Sequence, residues 1–108
     1  MKSLKHELVL QLEKIPGIEH VPCPDRDDGF SVLNFRGKEI GHFHNFNEID
    51  LRLGKQLIRQ EGLKHPADSS KHPKRSPNSP FIELRFHHQR DISKVVHLVG
   101  LLVSKHLN

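Results

Sequence analysis

The chain has 108 residues, 34% of them hydrophobic and 28% charged, and a formal net charge of +4 at pH 7 with its ten histidines neutral. That length and balance suit one folded domain and argue against a disordered chain, and the lone cysteine, Cys23, excludes an intrachain disulfide and a cysteine-rich zinc module. No apolar run approaches the ~20 residues that span a bilayer, and "MKSLKHELVLQLEKIPG" lacks a signal peptide's apolar core and cleavage site, so a soluble, cytoplasmic protein is expected.

The first segment, "SLKHELVLQLEKIPG", reads as a helix. Ser3 can cap it, and Leu4, Leu8, Val9, Leu12 and Ile15 recur at helical spacing on one face. Pro16 and Gly17 end it. A short extended segment, "IEHVPCP", is followed by the turn "DRDDG" and by a strand, "FSVLNF", rich in β-formers.

After a second turn, "RGK", two arms follow, "EIGHFH" and "EIDLRL". They are joined by Asn45, Phe46 and Asn47, a loop suited to a turn closed in the left-handed region, which asparagine tolerates. That register sets His44 against Glu48 and His42 against Asp50, with directly opposed Cβ atoms ~5 Å apart. Phe43, Ile49, Leu51 and Leu53 then form the core face, since a slip of one residue would bury Glu48, Asp50 and Arg52. His42, His44, Glu48, Asp50 and Arg52 share the polar face.

A short helix, "KQLIRQE", comes next, with Gly62 at its C′ position and Leu63 behind it. Residues 64–80, "KHPADSSKHPKRSPNSP", contain four prolines and four serines, repeat "KHP" at Lys64 and Lys71, and are almost devoid of apolar residues. This composition is that of a flexible, basic loop. "FIELRF" then alternates as a strand, with Ile82, Leu84 and Phe86 inward and Glu83 and Arg85 outward. Asp91 is placed to cap a final helix, "ISKVVHLVGLLVSKHL", in which Gly100 implies close approach to a strand.

The order is α-β-β-β-β-α-loop-β-α. Short turns between consecutive strands imply an antiparallel sheet, and one apolar face per strand implies helices on one side and solvent on the other. The expected class is α+β: a single two-layer domain over residues 1–108.

A His-x-His strand beside a carboxylate suits zinc, iron, manganese or nickel, and protonated histidines with Arg52 suit a small anion. The expected ligand-binding residues are His42, His44, Asp50, Arg52 and His65, of which His42, His44 and Asp50 are the metal ligands. The leading reading is thus a small intracellular binding domain that takes a divalent metal or a small anionic ligand on its polar sheet face. An enzyme using the same histidines is the first rival. A nucleic-acid-associated module using Lys64, Lys71, Lys74 and Arg75 is the second, disfavoured because the loop has no Phe, Tyr or Trp to stack on bases.

"GHFH", "EIDLRLGK", "EGLKHP" and "PFIELRF" with its closing helix together resemble the luciferase-like domain family, over about two thirds of the chain. The resemblance implies the α+β order and singles out His42, His44, Asp50 and His65. It implies no particular reaction. Residues 68–79 are longer and more basic than the family pattern.

Overall fold

The structure is a computed structural model and describes residues 3–107. Helix α1 spans Leu4–Leu12, strands β1 to β4 span Ile18–Pro22, Ser31–Phe35, Lys38–Phe43 and Glu48–Leu51, helix α2 spans Lys55–Gln60, β5 spans Ile82–Arg85 and α3 spans Gln89–Leu107. The five strands form one antiparallel sheet in the order β1-β2-β3-β4-β5. No helix among the described residues is long and apolar enough to cross a membrane.

Each helix end follows from its local chemistry. Ser3 accepts from the His6 amide, so the sequence cap holds. Gly62, at φ 65°, and Leu63 return their amides to the carbonyls of Arg59 and Ile58, closing α2. Asp91 does not cap α3 from outside. The helix begins two residues earlier than Asp91, and the Asp91 carboxylate reaches back to accept from the amides of His87 and His88, both at 3.0 Å. That is the return half of a capping box. Burial raises the Asp91 carboxyl, but these two amides prevail and hold it below the ordinary value.

The core lies between the sheet and the helices. Leu33, Phe35, Phe43, Ile49, Leu51, Ile82 and Leu84 point from the sheet toward Leu8 and Leu12 of α1 and Ile92, Val95, Leu98, Val99 and Leu102 of α3, and all are buried. Gly100 faces open space, so close packing against a strand is not its role. The glycine that permits close approach is Gly41. A Cβ there would lie 2.6 Å from the Asp50 carbonyl oxygen and 2.8 Å from Leu51 Cδ2.

The β3–β4 register is the expected one: His42 pairs with Asp50, Phe43 with Ile49, and the His44 amide donates to the Glu48 carbonyl. The loop between them closes differently. Arg36 is the one non-glycine residue with positive φ among the described residues, so Asn47 is not left-handed. Instead the Asn45 side chain accepts from the Asn47 amide at 2.7 Å, and Asn47 bridges to the backbone of Phe86.

Strict alternation also fails once in β3. Leu33 pairs with Gly41 but Asn34 pairs with Glu39, which leaves Ile40 as an extra residue. This bulge turns Ile40 into the core and brings Glu39 onto the same face as His42. Unbroken alternation through His42 would place these two residues the other way round.

Candidate functional site

The middle of the polar face of β3, β4 and β5 is buried, while Glu39 at its edge stays exposed. Asp50 is 1% exposed, Glu83 2% and His44 5%. What covers them is the segment over residues 64–80, whose anchors are polar rather than apolar. The Ser69 hydroxyl donates to Glu83 at 2.8 Å and accepts from the His72 amide at 3.0 Å. The Arg75 guanidinium donates to both oxygens of Asp50, at 2.5 and 2.8 Å. Arg85, rising from the sheet, bonds Asp68 at 2.9 Å. The segment is a strap strung across the sheet by hydrogen bonds and ion pairs.

Beneath the strap, His42, His44, Asp50 and His72 offer four ligand atoms that all lie within 4.8 Å of one another. The Nε2 atoms of His42 and His72 lie 3.8 and 3.7 Å from the same Asp50 oxygen. The His44 ring centroid is 5.1 Å from that of His42 and 5.2 Å from that of His72. Ligands on a tetrahedral zinc at ~2.0–2.1 Å are spaced by about 3.3 Å. The set therefore closes on an ion by inward shifts on the order of 1 Å, within reach of side-chain rotation.

The far side of each sheet histidine is held by a carboxylate. His42 Nδ1 lies 3.3 Å from Glu39, the residue that the bulge brings round, and His44 Nδ1 lies 3.3 Å from Glu48 and 3.8 Å from Glu83. His44 Nε2 is buried and has no hydrogen-bond partner. A carboxylate fixing one ring nitrogen while the other is left bare is the arrangement that orients metal-ligating histidines. Burial, chiefly, and then the Arg75 charge hold the His72 imidazole below its ordinary value against the opposing pull of Asp50. His72 is thus biased toward its neutral form.

Of the residues expected from sequence, His42, His44 and Asp50 come together here. His65 does not join them: its Nε2 bonds the His72 carbonyl at 2.7 Å, so it braces the strap behind the cluster. Arg52 does not join them either. It lies past the end of β4, is exposed, and lines a separate recess with Ile40 and Leu53. Sequence reasoning missed His72, Arg75 and Ser69 as partners of the sheet, and missed Glu39. The repeated "KHP" was the available signal, since its two histidines are His65 and His72.

Fold and site together define an α+β meander domain with a histidine–carboxylate centre on one sheet face, covered by a polar strap. A profile described as the Luciferase domain matches residues 37–101, well over half of the chain and the whole of this centre. The chain belongs to that Luciferase domain family. No curated protein and no solved structure matches it.

Proposed function

We propose that this domain binds a divalent transition-metal cation through His42, His44, Asp50 and His72. The observation that carries the reading is His44: a buried imidazole whose Nδ1 meets Glu48 and whose Nε2 has no partner. An unpartnered buried nitrogen costs about 1–3 kcal/mol, a cost that a coordinated ion removes. Nitrogen and carboxylate donors together suit zinc, iron, manganese or nickel.

An anion gripped by protonated histidines is the weaker version of the same site. Asp50, Glu48 and Glu83 line the cluster, and Glu39 stands behind His42. Four carboxylates against Arg75 and Arg85 favour a cation. Nucleic acid finds little support in the strap, because Arg75 is turned inward onto Asp50, leaving Lys64, Lys71 and Lys74 as its exposed cations. An enzyme at this centre would require a coordination position open to substrate, and turnover by the metal-loaded protein separates that reading from binding alone.

The test combines elemental analysis of untagged protein with calorimetric titration of zinc, manganese and phosphate at pH 7.5 and 5.5. A 1:1 cation complex is expected that weakens at the lower pH, because imidazole ligands must be unprotonated. His44→Ala and His72→Ala should each weaken it at least tenfold. Tighter phosphate binding at pH 5.5, with no cation complex at either pH, would falsify the proposal.

A further inference from the structure

Arg52 stands apart from the centre, and its surroundings form a second recess of about 670 Å³ on the helix side of the sheet. This falls in the ~300–1,000 Å³ range of small-molecule sites. The recess is bounded by the β2–β3 hairpin, the segment over residues 52–54, Pro80 and the C-terminal part of α3. Phe35, Ile40, Leu53 and Leu102 contribute its apolar lining. Lys38, Arg52, Lys105 and His106 stand around it.

The charge on this rim is unbalanced. Among the described residues, the side chains of Lys38, Arg52 and Lys105 make no ion pair. The one carboxylate of the recess, Glu39, is turned through to His42 on the other face. Lys105 and His106 also offset the partial negative charge at the C-terminal end of α3. Lys38 and Arg52 are therefore the cations left for a ligand. Like charges gathered over an apolar lining repel one another, and an anionic group brought among them relieves that repulsion.

We infer that this recess binds a small amphipathic organic anion, its apolar body laid against Phe35, Ile40 and Leu102 and its carboxylate or phosphate head held by Lys38 and Arg52. The site is separate from the proposed metal centre, and its occupation does not depend on a cation there.

Octanoate, octyl phosphate and inorganic phosphate serve as probes, titrated calorimetrically into the whole chain at pH 7.5 and low ionic strength. The two octyl anions, which distinguish a carboxylate from a phosphate head, are compared with octyltrimethylammonium. Saturable binding of at least one octyl anion at one site per chain is expected, at least tenfold tighter than inorganic phosphate, with none for the cation. Arg52→Ala and Lys38→Ala should each weaken it at least fivefold, and Lys14→Ala, at an exposed lysine outside the recess, should leave it unchanged. Both rim residues are exposed, so unaltered thermal melting checks that the variants fold. Binding that survives the Lys38→Ala/Arg52→Ala double variant overturns the proposal, as does equal affinity for inorganic phosphate or no saturable binding of either octyl anion.

Discussion

Gly41 shows how one residue ties the fold to the site. Its missing side chain lets β3 and β4 approach closely beside Asp50, and the atom that an added Cβ would meet first is backbone oxygen, which cannot swing aside. Gly41→Ala should therefore destabilise by about 1–3 kcal/mol, the usual cost of overpacking. It should also disturb the His42–Asp50 pair, which denaturant melts with and without zinc would register as a smaller zinc stabilisation. On the next strand, Leu51 is wholly buried and Arg52 is exposed. Leu51→Ala should cost ~2–5 kcal/mol and Arg52→Ala no more than about 0.5 kcal/mol. Equal losses in chemical denaturation would contradict the assignment of the two faces.

At the scale of elements, the decisive piece is the strap. It supplies His72 to the centre, and through Arg75 it places a guanidinium on the carboxylate that an ion would use. Breaking a buried ion pair by removing one partner costs about 3–5 kcal/mol, because the other charge is left uncompensated. Arg75→Ala should lower the stability of the metal-free protein toward that extent. Added zinc should then recover more stability than it adds to the unaltered chain, as a cation takes over the compensation of Asp50. In limited proteolysis, trypsin should cut first at Lys71 or Lys74, as expected for a segment without apolar anchors. Arg75→Ala should speed those cuts and zinc should slow them. Primary cleavage within α3, or zinc without effect on the strap, would argue against a strap that closes on an ion.

For the whole molecule, pH is the informative variable. His20 sits on the core side of β1, its Nε2 2.8 Å from the Ser31 hydroxyl and its ring edge-on to Phe43. Burial first, and then the Lys5 charge, lower its pKa below the ordinary value of 6.5, with Glu13 opposing. His72 is lowered as well, by burial and Arg75. Between a depressed folded value and the unfolded value, the unfolded chain binds more protons. Stability is therefore full above about 6.5 and is lost as pH falls toward the folded values. Urea melts from pH 8 to 5 should show this acid loss, and His20→Gln should reduce it while His6→Gln, at an exposed position, should not.

Much of this architecture is written in short-range pattern. Alternation in "GHFH" and "EIDLRL" set the hairpin register, because burying Phe43, Ile49, Leu51 and Leu53 leaves one pairing that keeps Asp50 off the core face. Capping and termination chemistry likewise marked α1 and α2. Local pattern could not supply the bulge at Ile40, since an extra residue in one strand is defined only against its partner. Nor could it bring His72 and Arg75 to Asp50, more than twenty residues away in sequence: a strap anchored by ion pairs has the composition of a free loop until its carboxylate partners are placed beneath it. The same holds for Arg52, which alternation assigned to the polar face and the end of the sheet turns toward another recess. The sequence by itself determined the elements, their register and the grouping of His42, His44 and Asp50 on the hairpin, because these depend on neighbours along one or two strands. Only the tertiary structure decided that the middle of the polar face is covered, that His72 is the fourth side chain of the cluster, and that His44 Nε2 is left without a partner, because those depend on distant groups meeting where water has been excluded.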